Sequence, residues 1–140
     1  KAFSKQLILQ NQGGKIINIS SIAGKKGSAT FGAYNASKAG VIRLTESIAL
    51  DLAKYNINVN SVCPSWVDTE RVDVYVEHLY QDNISHKEKR DLHLSNIESS
   101  VPLGRYASSD DVAKAVAFLS SEESSFITGA SLNVSGGIIA

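Results

Sequence analysis

Hydrophobic positions along this chain change their spacing from one segment to the next, and each spacing predicts an element. Residues 15–20, "KIINIS", are apolar nearly throughout and rich in β-branched side chains, whereas residues 57–64, "INVNSVCP", alternate apolar and small polar ones. Both patterns predict strands, the first of them buried in a parallel sheet. Between them, from about residue 33 to 55, apolar residues recur at steps of three and four, which predicts a long helix. Its core-facing stripe is expected to consist of Val41, Leu44, Ile48 and Leu52.

The alternation of strand and helix predicts how the elements connect. A strand, a helix of about 20 residues and a second strand make a βαβ unit, which favours a parallel sheet with a right-handed crossover. Two serine–acid pairs, Ser85 with Glu88 and Ser108 with Asp111, match capping boxes and predict two further helices. Residues 129–137, "GASLNVSGG", close the chain with a short strand and a glycine turn. We therefore expect one α/β domain with three strands.

Composition and charge exclude several classes of function. The 140 residues include 14 basic and 14 acidic ones, so the chain lacks the concentrated positive field that nucleic acid or an anionic membrane surface requires. The single cysteine, Cys63, sits in an apolar run and is expected to be a buried thiol in a reducing, cytoplasmic compartment. The histidines lack metal-ligand spacing, so no metal site is expected. All three are assigned to the surface: His78, His86 and His93.

Residues 20–40, "SSIAGKKGSATFGAYNASKAG", carry the candidate chemistry. The four-residue spacing of Tyr34 and Lys38 places both side chains on one face of the long helix. Ser21 lies where the preceding strand ends, at the rim that the start of the next helix shares. A lysine ammonium favours the phenolate form of a neighbouring tyrosine, which can exchange a proton with a substrate oxygen while a serine hydroxyl binds that oxygen. The alternative is a glycine-rich turn that leads into an ordinary helix.

Four motifs occur in an order that points to a family. They are "GKIINISSIAG", "AYNASKAG", "DLAKYNINVNSVCPSWVDTE" and "ITGASLNVSGG", and together they resemble the carboxyl-terminal half of the short-chain dehydrogenase/reductase family. The resemblance covers nearly the whole chain except the variable stretch around 70–105. It implies a partial Rossmann-like, doubly wound parallel sheet of three strands with flanking helices. It also implies that residues 1–140 are the carboxyl-terminal portion of a single NAD(P)-binding domain, in which about 70–105 form a substrate-covering lid.

The resemblance also implies roles for individual residues. Tyr34 would be the catalytic acid/base, Lys38 would bind the nicotinamide ribose and favour ionisation of the tyrosine, and Ser21 would orient the substrate oxygen. The loop after the second predicted strand would surround the nicotinamide of an NAD or NADP cofactor. Its expected cofactor contacts, besides Tyr34 and Lys38, are Pro64, Ser65, Val67 and Thr69.

Two residues of this loop raise questions of their own. Ser65 stands where the family usually has glycine, and glycine there allows close backbone approach, so the fit of the loop to the cofactor is in doubt. Trp66 either lines the substrate cleft or packs in the core, and the sequence favours neither.

The function that the resemblance implies is an NAD(P)-dependent oxidoreductase that interconverts an alcohol and a ketone by hydride transfer. The stretch 70–105 is polar and carries tyrosine and histidine, which favours a small polar substrate such as a sugar alcohol or a hydroxy ketone. The family further implies a homodimer or homotetramer, with the helix at 33–55 in the interface.

A rival interpretation is a catalytically inactive fragment or partner-binding remnant of such an enzyme. The chain has no methionine and begins in "KAFSKQLILQNQGG", the end of a helix stopped by Gly13 and Gly14, which predicts a fragment. The family's glycine-rich phosphate loop and the asparagine of its catalytic tetrad do not occur in it. Residues 15–20 would then form an exposed, aggregation-prone strand edge. The choice between NAD and NADP stays open, because the residues that discriminate them are expected upstream.

Overall fold

The structure is a computed structural model that describes residues 2–80 and 83–138. Three parallel strands form one sheet in the spatial order β1 (Gly14–Ile19), β2 (Ile57–Pro64) and β3 (Ser131–Val134). β2 lies in the centre, and its buried side chains reflect contact with other elements on both faces. The predicted α/β class, with a partial Rossmann-like parallel sheet of three strands, is confirmed.

Helices flank this sheet and connect its strands. Those of the described residues are α1 (Ala2–Gln10), α2 (Gly32–Leu52), α3 (Glu70–Leu79), α4 (His86–Glu98) and α5 (Ser109–Ser120). Helix α3 has no counterpart among the predicted elements, because only two of its residues are buried and the pattern around it is irregular. Within the described ranges, no helix combines the length and the apolar character needed to cross a bilayer.

The core-facing side of α2 differs by about one residue from the predicted stripe. Leu44 is 57% exposed, whereas its neighbour Thr45 is fully buried. The Thr45 hydroxyl accepts a hydrogen bond from Asn18 on β1 (2.9 Å) and donates one to the Val41 carbonyl (2.7 Å). A threonine whose hydroxyl is paired in this way can be buried at little cost. The spacing of apolar residues, by contrast, places a polar threonine on the surface. The side chains that α2 buries are Ile42, Thr45, Ala49 and Leu52.

Two apolar clusters make up the core around β2. One joins α2 to the first half of the strand through Ala49, Leu52, Ile57 and Val59. The other lies near the end of the strand, where Cys63 packs against residues of α2 and of the turn after β1. Cys63 is a fully buried, free cysteine, as the sequence indicates. The second cluster therefore lies directly beneath the rim that carries the candidate chemistry.

Both predicted capping boxes are present at helix starts. At α4, the Ser85 hydroxyl accepts from the Glu88 backbone N–H, and the Glu88 carboxylate accepts from the Ser85 backbone N–H (2.8 Å). At α5, Ser108 and Asp111 make the same pair of bonds. The Arg105 guanidinium binds the same carboxylate through two nitrogens, and together with Ser108 it holds the pKa of Asp111 well below its usual range.

Candidate functional site

The carboxyl ends of β1 and β2 lie side by side and form the floor of the site. Ile19 is in register with Val62, and the Ser20 backbone N–H donates to the Val62 carbonyl (2.8 Å). Ser21 is buried just beyond this pair. Its hydroxyl accepts from the Ala23 backbone N–H (3.1 Å), which caps a short 3-10 turn, and donates to the Pro64 carbonyl over a long 3.4 Å. The structure thus brings Ser21 and Pro64 together at one edge of the sheet.

Tyr34 and Lys38 lie one turn apart near the start of α2. The Lys38 ammonium stands 5.8 Å from the centroid of the Tyr34 ring and donates a hydrogen bond to the Ile19 carbonyl at the end of β1 (3.1 Å). Both side chains are half-buried. The Tyr34 hydroxyl has no hydrogen-bond partner among residues 2–80 and 83–138, and no direct bond links it to Ser21 within those ranges. The structure therefore brings Lys38 close both to Tyr34 and to the end of β1, which precedes Ser21.

Two small residues hold the start of α2 against the end of β1. The Ser20 hydroxyl donates to the Lys38 backbone carbonyl (2.8 Å). At Gly24, a β-carbon would stand 2.6 Å from the Lys38 carbonyl carbon, so only glycine permits this approach. Ser20 was not among the predicted site residues, although the Ser-Ser pair at the end of a strand is a signal for it. The position of the lysine therefore depends on both residues.

The segment after β2 runs along the same edge. The Ser65 backbone N–H donates to the Val134 carbonyl on β3 (3.1 Å), so the residue that replaces the family's glycine continues the sheet. Val67 pairs with Ala107 in a parallel bridge, in which the flanking residues 66 and 68 make the two hydrogen bonds. In such a bridge, the backbone N–H and carbonyl of Val67 itself point away from Ala107. Thr69 occupies the cap position of α3, and its side chain makes no capping bond.

Ion pairs hold α3 and α4 together as a hairpin. Arg90 on α4 binds Asp73 on α3 and Asp68 in the segment after β2. His86 and Lys89 bind the Glu77 carboxylate at 2.5 and 2.8 Å. The Lys89 ammonium and the imidazole lower the pKa of Glu77, and the carboxylate in turn raises the pKa of His86.

Aromatic rings fill the space beneath this hairpin. Trp66 is half-buried, and its ring contacts those of Tyr75 and His93 at centroid distances of 6.3 and 5.7 Å. Tyr75 also contacts Phe31, the residue that precedes α2. His93 is 4% exposed, so its assignment to the surface is wrong, and burial lowers its pKa. The ring contacts of His93 come from two other segments of the chain, the one after β2 and α3 with its C-cap, so its burial could not be inferred from spacing.

A family comparison agrees with this arrangement. Residues 1–139 match the family model described as enoyl-(acyl carrier protein) reductase. The chain belongs to the short-chain dehydrogenase/reductase family. The resemblance seen in the sequence motifs is thereby confirmed.

Curated short-chain dehydrogenase relatives include galactitol 2-dehydrogenase of Agrobacterium fabrum, 41% identical over 138 residues. That match covers 98% of this chain and 52% of the relative. The 3-oxoacyl-(acyl-carrier-protein) reductase FabG of Rickettsia felis is 38% identical over 94% of this chain and 49% of its own length. The chain thus spans about half the length of the curated relatives it matches.

Solved structures of the family share the fold. NAD+-bound xylitol dehydrogenase superposes with a TM-score of 0.80 and 37% identity, covering 96% of this chain and 52% of that one. An actinorhodin polyketide ketoreductase variant with NADPH gives a TM-score of 0.82, 37% identity, and coverage of 94% and 49%. The expected cofactors, NAD or NADP, are the ones named for these two short-chain dehydrogenase/reductase structures.

Proposed function

We propose that this chain provides the proton-transfer site of an NAD(P)-dependent oxidoreductase that interconverts an alcohol and a ketone. The observation that carries the proposal is the position of Lys38. Its ammonium lies over the Tyr34 ring and is held there by the last carbonyl of β1. The ammonium thus lies beside the phenol that would exchange a proton with a substrate oxygen.

The proton moves between Tyr34 and the substrate oxygen. In the reducing direction the phenol gives its proton to the carbonyl oxygen as that oxygen gains charge, and in the oxidising direction the phenolate accepts the alcohol proton. Ser21 stabilises the same oxygen through its hydroxyl. Its bond to the Pro64 carbonyl is long, at 3.4 Å, so a substrate oxygen can compete for the hydroxyl proton. A nicotinamide cofactor, when bound, would supply or accept the hydride.

The residues present fit the nicotinamide end of such a cofactor. The outward N–H and carbonyl of Val67 form a donor–acceptor pair of the kind a carboxamide binds, and Lys38 adds a donor for a ribose hydroxyl. Pro64, Ser65 and Thr69 lie on the same segment and would complete the contact. The chain has no G-x-G-x-x-G sequence, so it offers no comparable fit to the phosphates.

A polyhydroxy alcohol is the substrate class that we favour. Galactitol 2-dehydrogenase, sorbitol dehydrogenase and xylitol dehydrogenase all appear among the relatives, beside reductases that act on 3-oxoacyl groups. We propose residues 70–105, which include the α3–α4 hairpin, as the lid, and charged side chains tie the two helices of this hairpin together. Within the hairpin the rings of Tyr75 and Tyr80 contact that of His93, and their polar atoms suit hydroxyl groups better than an acyl chain.

We also propose that the protein assembles as a homodimer or homotetramer through α2. Leu44 and Leu50 are 57% and 82% exposed on this helix. A second subunit packed on this helix would cover these apolar side chains.

The proposal is tested in the protein as it is naturally expressed, with NADH and NADPH and a series of alcohols. Tyr34→Phe removes only the phenol oxygen and is expected to lower kcat by about 100-fold or more. The cofactor should still raise the melting temperature of this variant. Tyr55→Phe, which alters an exposed tyrosine after α2, is the matched control and should retain activity.

Two results would contradict the proposal. Full activity in Tyr34→Phe would refute the acid/base role. The absence of both turnover and nucleotide-dependent stabilisation in the unaltered protein would favour the inactive, partner-binding alternative.

A further inference from the structure

Arg90, on α4, binds two carboxylates that belong to two different parts of the chain. Its Nη1 donates to Asp73 on α3, and its Nη2 donates to Asp68 in the segment that follows β2. Only 26% of the Arg90 side chain is exposed, so both pairs are partly shielded from water. Among the ion pairs of residues 2–80 and 83–138, the pair with Asp68 is the one that joins α4 to the segment after β2.

Asp68 is also held through its backbone, next to the proposed nicotinamide contact. Its N–H donates to the Ala107 carbonyl (3.0 Å), and the Ala107 N–H donates to the Trp66 carbonyl (3.0 Å). Val67 lies between these two bonds. The Val67 carbonyl and the Asp68 N–H belong to one planar peptide unit, so the orientation of one fixes that of the other. A movement of α4 that displaces Asp68 therefore also turns the carbonyl that we assign to the nicotinamide.

A ring contact joins the same hairpin to the start of α2. Tyr75 on α3 contacts Phe31 at 6.4 Å and Trp66 at 6.3 Å, centroid to centroid. Phe31 immediately precedes α2 and stands three residues before Tyr34. The hairpin thus packs against the segment after β2 and against the beginning of the helix that carries the proton-transfer tyrosine.

Arginine is suited to the double contact at position 90. A planar guanidinium has donors at both ends and can bind two carboxylates at once, whereas a lysine ammonium is a compact point charge. Without Arg90, Asp73 would keep only its longer contact with His86 (3.4 Å), and Asp68 would have no cationic partner among the described residues. The attachment of α4 to the segment after β2 therefore depends on this one side chain.

We propose that Arg90 is a positioning residue that couples the docking of the α3–α4 hairpin to binding of the nicotinamide by the segment around Val67. This proposal rests on the proposed function and deepens it, because it names how the lid regulates the same site. Arg90 acts through Asp68 and takes no part in the proton transfer. Coupling is reciprocal, so if a docked hairpin favours nucleotide binding, bound nucleotide favours the docked hairpin by the same factor.

The experiment measures nucleotide affinity and protection of the hairpin in the protein as it is naturally expressed. The dissociation constant of NADH or NADPH, whichever binds more tightly, is determined by isothermal titration calorimetry. Amide hydrogen exchange of residues 70–79 and 86–98 is followed with and without that nucleotide. In the unaltered protein the nucleotide should slow exchange throughout the hairpin.

Two single variants and their combination test the contact. Arg90→Met keeps an unbranched side chain and removes the charge, and Asp68→Asn keeps the shape of the acid. Each is expected to weaken nucleotide binding by about 5-fold or more and to remove most of the nucleotide-dependent protection. The double variant should bind no more weakly than either single one, because both changes break the same contact. Since ion pairs this exposed contribute little to stability, all three variants are expected to fold.

Two further variants calibrate the effect. Arg90→Lys, which can hold one carboxylate at a time, should recover part of the affinity. Arg71→Met is the matched control and should bind nucleotide like the unaltered protein. Arg71 is an exposed arginine on α3 that makes no ion pair within the described residues.

The outcomes separate this proposal from the one on which it rests. Unchanged affinity in both single variants would overturn it, and so would losses that multiply in the double variant, since Arg90 and Asp68 would then act independently. An equal loss in Arg71→Met, or hairpin protection that persists in Arg90→Met, would also overturn it. These results leave the proposed function intact. Failure of the proposed function would instead show as full activity in Tyr34→Phe, or as binding of neither nucleotide by the unaltered protein, which would overturn both proposals.

Discussion

Gly24 provides a sharp test of how the site is held together. A β-carbon at this position would lie 2.6 Å from the Lys38 carbonyl carbon, 2.7 Å from its oxygen and 2.8 Å from the Ala39 nitrogen. Carbon atoms in contact normally stand about 3.5–4.0 Å apart, and these neighbours are helix backbone that cannot rotate away. Gly24→Ala must therefore push the turn after β1 away from α2 by about 1 Å.

The expected cost follows from this overlap. Overpacking of this kind typically destabilises a protein by about 1–3 kcal/mol, which corresponds to a fall in melting temperature of about 4–12 °C for a domain of this size. Because Lys38 and Ser21 lie on opposite sides of the contact, their separation should also change. A misplacement of about 1 Å can lower kcat by about 100-fold.

The assay is thermal unfolding monitored by circular dichroism. It is followed by steady-state kinetics of NAD(P)-dependent alcohol oxidation, the reaction of the proposed function. Gly27→Ala is the matched control, because a β-carbon at Gly27 meets nothing within 4 Å in the same loop. The control is expected to be neutral or slightly stabilising, since alanine restricts the unfolded chain. If Gly24→Ala and Gly27→Ala have the same melting temperature, the predicted overlap between a β-carbon at Gly24 and the backbone of α2 is refuted.

Further predictions concern the core and the ion pairs. Leu52→Ala should lower the free energy of unfolding by about 2–5 kcal/mol in urea titrations, whereas Leu44→Asp should shift sedimentation toward smaller species; unchanged sedimentation would contradict the α2 interface. The carboxylate that binds His86 raises its pKa, so the pair stabilises the fold below about pH 6.5 and this contribution is lost as the pH rises through the folded-state pKa. His86→Gln should accordingly lower the melting temperature at pH 5.5 and leave it unchanged at pH 9. The guanidinium beside Asp111 lowers the pKa of that carboxyl, so its stabilisation is present above about pH 4 and is lost as the pH falls further. Asp111→Asn should be less stable than the unaltered protein at pH 7, and this deficit should shrink as the pH falls from 4 toward 2; an equal deficit at pH 7 and pH 2 would contradict the assignment.

Local features were predictable from the sequence because their causes are local. The β-branched run at 15–20 and the run that ends at Pro64 both became strands, within about one residue of the expected bounds. The two serine–acid capping boxes form as expected, since each involves only four consecutive residues. Helix α1 ends slightly earlier than the glycine pair indicates, at Gln10, because Asn11 adopts a positive φ.

Features that depend on distant partners were not predictable in this way. Thr45 is buried because Asn18, on another element, pairs with its hydroxyl. His93 is buried because rings from two other segments, the one after β2 and α3 with its C-cap, pack against it. Ion pairs that join α3 to α4 likewise depend on how the two helices pack, and no spacing along the chain specifies them.

The sequence by itself determined the class of fold, the family and the residues that carry the candidate chemistry. Tyr34 and Lys38 meet because a spacing of four on a helix brings side chains to one face, and this follows from helical geometry alone. The tertiary structure decided where the ammonium is anchored, which side of α2 is buried, and that Arg90 joins α4 to the segment after β2. The physical reason is that hydrogen-bond satisfaction and burial are properties of groups brought together from separate elements, whereas periodicity and capping depend only on neighbours along the chain.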